Sequence, residues 1–412
     1  MTEIGVDTLK KKINYLSSTS IKHLFLILTI FILLFSLLAC ESSDKDLDAD
    51  SDNMQCEVMD SEENNEDEDN QDVTLYSEEY EEEVETEEDL NPYDFTLTFA
   101  GDINFDDNSS TMDYYNSVPN GIVDCISYEL IEIMNDANIM CLNNEFTYST
   151  AGSPLDGKAY TFRAHPSRVD ILKDMGVDIV TLANNHIYDY GKQAFLDTLN
   201  TLNKADIKYY GAGKNLDEAK SPEYFNIQGK TLAYVAASRA EKYKMTPQAT
   251  EDSPGILRCY DTELFIKTIE KASKNADYVI AYVHWGTEYS FELEDVQLST
   301  GKDYLDAGAD IVIGAHPHCL QGIEYHNGKP IVYSLGNLWF NNKTLDTMLL
   351  NIHFYGDDTE ENIDLEIVPA IQSDLVTRLV IDETEKERIY SFLESISINI
   401  NINEEGLVTE AE

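Results

Sequence analysis

The chain has 412 residues, of which 78 are acidic and 28 basic, giving a formal net charge of −50 at neutral pH. That balance excludes a nucleic-acid partner, because gripping a phosphate backbone needs clustered lysine and arginine. A hydrophobic fraction of 42% leaves room for a sizeable core, and the six cysteines suggest no disulfide framework.

Lys10, Lys11, Lys12 and Lys22 precede an apolar run over 24–38, which ends in Ala39-Cys40. A basic start, an apolar core and a small residue before a cleavable bond describe an export signal or membrane anchor over 1–40. Leu37-Leu38-Ala39-Cys40 resembles a bacterial lipobox, which implies a lipoprotein attached through Cys40. The alternative is an uncleaved anchor, since the run is close to the shortest length that spans a bilayer. In either case the basic residues stay in the cytoplasm and the rest lies on the extracellular face of a bacterial cell membrane. Residues 41–91 carry many acids, one base (Lys45) before Asp89, and few large apolar groups. This composition describes a disordered acidic linker, extended by its own charge.

The folded domain is expected over 92–380, with a C-terminal helix and acidic tail over 381–412. Short apolar runs at 97–100, 139–142, 179–182, 278–283 and 311–313 read as buried parallel strands. Between them, apolar spacing of three to four predicts helices over 122–135, 167–175, 192–203, 262–273 and 296–306. A terminal helix over 384–396 follows, and the tail beyond it is expected to fray. Strands alternating with helices indicate an α/β architecture. Cys141, inside an apolar run, and Cys319 read as buried, reduced thiols.

Polar residues follow each strand run: Asp102 and Asn104; Asn143-Asn144-Glu145; Asn184-Asn185-His186; His284; and His316-Pro317-His318. In an open α/β sheet the carboxyl ends of the strands line one crevice, so these groups are expected to converge. A strand that ends in His-x-His would send both rings into one cavity, because the alternate residue turns away. Singly, Asp102 could cap a helix, Asn184-Asn185 could form a turn and His284 could be a core histidine. Together they mix hard oxygen ligands with imidazoles and contain no thiolate. That set suits a divalent pair of Mn, Fe or Zn, with Glu145 or Asp102 able to bridge.

Taken in order, Phe99-Ala100-Gly101-Asp102, Asn143-Asn144-Glu145, Leu182-Ala183-Asn184-Asn185-His186 with Asp189-Tyr190-Gly191, His284 to Tyr289, Gly314 to His318 and Tyr333 to Asn337 resemble the CapA family of capsule or poly-γ-glutamate synthesis proteins. The resemblance extends from about Phe95 to Pro369. It implies a metallophosphatase-like layered sandwich, with central β-sheets flanked by helices. By the same resemblance the protein is a dinuclear-metal hydrolase or transferase acting on a surface polymer, with capsule-synthesis proteins as partners. A non-catalytic polymer-binding or export scaffold, and an extracellular metallophosphoesterase, stand as alternatives.

The resemblance also implies roles for single residues. Asp102, Glu145 and His318 would hold one cation; Glu145, Asn185, His284 and His316 would hold the second. His186 would face the substrate, oriented by Asp189. From their own positions, Asn104, Arg163, Glu288 and Asn337 are candidates to support the ligands or the substrate, Arg163 through its forked donors, although Glu288 could simply face solvent and an arginine in a loop is usually a solvated charge. Two departures stand out: Asn104 occupies the place of the usual histidine of an Asp-x-His opening, and the carboxylate lies three residues after His186 instead of next to it. Polyglutamate is itself an anion, so an acidic domain would need bound cations to reverse the local sign.

Overall fold

The computed structural model describes residues 91–241 and 245–411; the expected export signal, Cys40 and the acidic linker up to residue 90 lie outside the described residues. Among the described residues no helix is long and apolar enough to cross a membrane.

Two mixed sheets pack face to face. In spatial order the first runs Ile400–Ile402, Leu407–Glu410, Glu361–Ser373, Leu345–Gly356, Tyr93–Ile103, Ile139–Asn144, Ile179–Thr181 and Lys208–Tyr210. The last four are mutually parallel. The second runs Leu320–His326, Lys329–Leu335, Ile311–Ala315, Tyr278–His284, Lys230–Ser238 and Glu223–Ile227, with its four central strands parallel.

Alternation along each strand divides its side chains between two layers. Phe95, Leu97 and Phe99 point into the core between the sheets and meet Tyr234, Ile280 and Ile313 of the second sheet there. Met140, Leu142 and Val180 point outward, under the helices Tyr128–Asp136, Val169–Asp174 and Gly191–Ala205. On the far side, Val279, Ala281 and Val312 lie under Glu263–Ala272 and Asp295–Asp306. The result is the expected layered α/β sandwich, helices outside and two sheets within. Strands buried on both faces explain why the apolar runs are continuous.

The expected helix over 122–135 is broken. Gly121–Asp124 forms a short 3₁₀ turn, and the α-helix starts only at Tyr128. Thr377 fills the break, donating to Cys125 O and accepting from Ser127 N, each at 2.8 Å. The tail differs from expectation as well. Helix Glu383–Ile396 sends Ile389, Tyr390 and Leu393 into the inter-sheet core. Beyond it the chain pairs as a strand along Leu365 and Glu366, burying Ile400 and Val408, so it does not fray. Residues 381–411 are thereby part of the folded domain. Cys125, Cys141, Cys259 and Cys319 are all buried and free.

Two glycines let strand ends meet closely. A Cβ on Gly101 would sit 1.8 Å from Gly336 O, and one on Gly314 would sit 1.9 Å from Tyr333 O. Only glycine allows the backbones to approach this far at the edge where the polar residues gather.

Candidate metal centre

The carboxyl ends of the parallel strands bring the polar residues to one edge. Asp102 lies where the pairing between Tyr93–Ile103 and Ile139–Asn144 shifts register, an irregularity that re-aims side chains. Its Oδ1 accepts from Asn143 Nδ2 at 2.7 Å. Its Oδ2 accepts from His316 N at 3.3 Å and lies 3.1 Å from His318 Nδ1.

Glu145 follows directly on its strand and is fully buried. Its Oε1 is faced by three imidazole nitrogens: His284 Nε2 at 3.4 Å, and His186 Nε2 and His318 Nε2 at 4.0 Å each. No hydrogen bond satisfies that oxygen among the described residues. Burial, then the charges of Asp102 and Glu288, holds the carboxyl well above the usual range. An uncompensated buried carboxylate is costly, and cations would remove the cost.

His316 and His318 do not extend the strand, which ends at Ala315. They occupy a turn in which both take positive φ, 98° and 58°. This is backbone that L-residues rarely adopt, and it, in place of strand alternation, turns both rings into the site. His316 Nδ1 is buried without a hydrogen-bond partner among the described residues. His318 Nδ1 also meets Asn337 Oδ1 at 2.9 Å. Burial lowers the basicity of His284 and His316 and keeps these imidazoles neutral. Burial acts the same way on His318, but its bond to Asp102 and that residue's charge outweigh it and raise the pKa.

Two groups of ligand atoms result, each within 4.8 Å: Asp102, Glu145 and His318, and Glu145, His284 and His316. Glu145 is common to both. Asn185 joins the second through its Oδ1, 2.7 Å from His284 Nε2. The donor set, carboxylates and neutral imidazoles with two orphaned atoms among them, fits divalent cations.

His186 Nδ1 lies 2.7 Å from Asp189 Oδ2, and the ring packs against Phe162 with centroids 4.3 Å apart. Burial, followed by the charge of Lys158, keeps His186 well below the usual histidine range. Burial pushes the Asp189 carboxyl up to about 7, with Lys158 opposing it. The site opens through His186 and His318 into a cleft of about 400 Å³ walled by Phe162, Phe340 and Tyr289, with Asn104, Glu288 and Lys343 along it.

Asn104 stands in place of the absent histidine with an amide for an imidazole, and its Oδ1 accepts from Asp106 N at 2.8 Å. Arg163 is not brought to the cleft. Its guanidinium donates to Ala151 O at 3.1 Å and Gly152 O at 3.3 Å and stacks over Tyr190, so its donors are used to hold a loop. Trp285 is a core residue, stacked on Tyr304 and Tyr333. Sequence reasoning gave no role to Asn143, whose amide reaches Asp102 and Glu145. It also missed Lys158, which lies in an irregular segment with no pattern to mark it.

Residues 96–342 match the family described as bacterial capsule synthesis protein PGA_cap. The chain belongs to this family. Among PGA_cap relatives, the PGA biosynthesis protein CapA of Bacillus subtilis (strain 168) is 36% identical over 220 residues, covering 52% of this chain and 57% of that protein. The capsule biosynthesis protein CapA of Bacillus anthracis is 33% identical over 234 residues, covering 55% and 56%. The chain therefore spans little more than half the length of these relatives. Among solved structures, the Haemophilus influenzae NAD nucleotidase (NadN) aligns with 11% identity and a TM-score of 0.34, over 74% of this chain and 57% of that one.

Proposed function

We propose that this PGA_cap protein is a two-metal hydrolase or transferase that acts on an anionic surface polymer, or its precursors, during capsule assembly. The observation that carries the reading is Glu145, shared by two ligand groups and left with a buried oxygen that no hydrogen bond satisfies among the described residues. Asp102, Glu145 and His318 would hold one divalent cation, and Glu145, Asn185, His284 and His316 the other. When bound, such a pair supplies an activated water at neutral pH and offsets charge that develops on phosphoryl or carbonyl oxygens. Asp189 orients the His186 ring through Nδ1, which leaves Nε2 on the side of Glu145 to take or give a proton. The names of the Bacillus relatives, one for PGA and one for capsule biosynthesis, together with the resemblance to poly-γ-glutamate synthesis proteins, support a γ-linked polyglutamate as the polymer. The lipobox-like string ending at Cys40 supports attachment at the outer face of the cell membrane.

A second reading, a scaffold that binds polymer without cleaving it, is favoured by Asn104, an amide where the expected pattern has an imidazole, with its oxygen turned to Asp106 N. Metal analysis of the full chain, alongside assays on a phosphoester and a γ-linked glutamate oligomer, separates the two. About two metals per chain are expected, lost on replacing both His316 and His318 by Ala. A folded wild-type chain that binds no divalent metal would remove the hydrolase and leave the scaffold. Cleavage of the phosphoester alone would point to a phosphoesterase outside capsule assembly.

A further inference from the structure

Lys343 is exposed on the loop that follows Phe340, along the cleft that leads to His186 and His318. Among the described residues that line this cleft it is the only lysine or arginine, and Asp106 and Glu288 are the acids. Lys302, Lys329 and Lys386 each meet a carboxylate, at 2.7, 2.8 and 3.0 Å. Lys343 meets none among the described residues; its Nζ lies 3.2 Å from the centre of the Tyr289 ring. The loop itself is anchored. Gln372, fully buried, accepts from Phe340 N at 2.9 Å through Oε1 and donates through Nε2 to Asn341 Oδ1 and to Lys343 O, each at 3.0 Å. Asn341 Nδ2 donates to the Tyr289 hydroxyl at 3.3 Å, and Tyr289 N donates at 2.7 Å to the backbone oxygen of Pro317, between His316 and His318.

We propose that Lys343 is a substrate-binding residue, which takes a free α-carboxylate of γ-linked polyglutamate in the cleft leading to the metal centre. This role rests on the reading that the protein acts on that polymer. A γ-linkage consumes the side-chain carboxyl in an amide and leaves the α-carboxylate of each residue free, so a polymer strand in the cleft carries anions on both sides of any internal amide. An aromatic face attracts an ammonium through its quadrupole but has no net charge, so the cation resting on Tyr289 is not neutralised there. The flexible four-carbon stem lets that ammonium swing from the ring to an arriving carboxylate while Gln372 keeps the backbone in place. The move exchanges a ring contact for a charge-assisted hydrogen bond. It also meets the difficulty of bringing an anionic polymer to an acidic chain. Bound cations would reverse the sign at the metal centre, and Lys343 supplies positive charge farther along the same cleft.

The test uses the full chain and two fluorescently labelled γ-linked glutamate oligomers, one with free α-carboxylates and one with every α-carboxyl converted to an amide. Fluorescence anisotropy reads their binding in excess manganese and again in chelator, where metal-dependent cleavage stops. In whichever condition the wild type binds the acid oligomer, Lys343→Met is expected to weaken that binding about 5-fold or more, and Lys343→Glu to weaken it further. Affinity for the amide oligomer, metal content and far-ultraviolet circular dichroism are expected to stay as in the wild type. A wild type that holds no acid oligomer in either condition overturns the proposal. So does Lys343→Met with wild-type affinity for it, or an equal loss for both oligomers, the mark of a lysine that only steadies Tyr289. Cleavage and metal content are measured on the same samples. A chain that holds the acid oligomer through Lys343 but cuts nothing keeps the proposal and removes the hydrolase; one that binds metal and cuts a phosphoester but ignores the oligomer does the reverse.

Discussion

Glu145 Oε1 lies 3.4 Å from His284 Nε2 and has no hydrogen-bond partner among the described residues. Because Glu145 belongs to both ligand groups, the two positions are expected to fail together when its charge is removed. Glu145→Gln, which keeps the volume, should abolish binding of both cations, whereas Asp102→Asn should weaken only one position. Metal content per folded chain distinguishes the cases. Any activity should fall by on the order of 10²-fold or more in Glu145→Gln. Retention of full metal content by that variant would contradict the shared position.

Asn337 holds His318 through Nδ1 and leaves Nε2 as the atom nearer Glu145. Partners of this kind fix ring orientation and tautomer, and their loss typically weakens metal affinity about 10- to 100-fold. Asn337→Ala is expected to show that loss in a competition titration with a coloured chelator, with its far-ultraviolet circular dichroism unchanged. Equal affinity in variant and wild type would mean that the turn alone sets the ring.

Cations that bind the folded chain and not the unfolded one must raise its stability, by about 2.7 kcal/mol when free metal is about 100 times Kd. A chelator should therefore lower the melting temperature of the wild type and leave that of Glu145→Gln unchanged. A melting temperature indifferent to chelator in both would count against resident metal.

The close approaches at Gly101 and Gly314 forbid even a methyl group. Each Gly→Ala change would press a Cβ against a strand carbonyl that cannot move without disturbing the sheet. Costs on the order of 1 to 3 kcal/mol or more are expected, typical of overpacked interiors. Chemical denaturation would read this as a lower midpoint, and a midpoint equal to wild type would show that the backbone gives way freely.

Val408 is 5% exposed and belongs to the inter-sheet core, although it lies near the end of an acidic tail. Val408→Asp should lower stability by about 2 kcal/mol or more, because it buries an unpaired charge. Hydrogen exchange should find the amides of Leu407–Glu410 protected in the wild type and released in the variant. Fast exchange in both would return the tail to a frayed end.

The parts of the fold that could be read from the sequence are those that local pattern encodes. Strands 139–144 and 278–284 bury both faces, so they appear as unbroken apolar runs, and the Gly191–Ala205 helix shows its stripe at Ala194, Phe195, Thr198, Leu199 and Leu202. What escaped is what distant segments decide. The break at Cys125 to Ser127 exists because Thr377 enters it, and the tail becomes a strand because Leu365 and Glu366 present an open edge. Neither partner is visible from the segment it changes.

The candidate site divides in the same way. By itself the sequence determined which chemistry was on hand: carboxylates, amides and imidazoles at the ends of parallel strands, which the sheet must deliver to one edge whatever the loops do. Only the tertiary structure decided how they meet. It turned His316 and His318 inward through positive φ, engaged Asn104, drew Arg163 away to hold a loop, and brought Lys158 to Asp189. Which segments become strands follows from hydrophobic period, which is local; the state of a buried carboxylate follows from its burial and the nearest charge in space, and for Asp189 that charge lies 31 residues earlier in the chain.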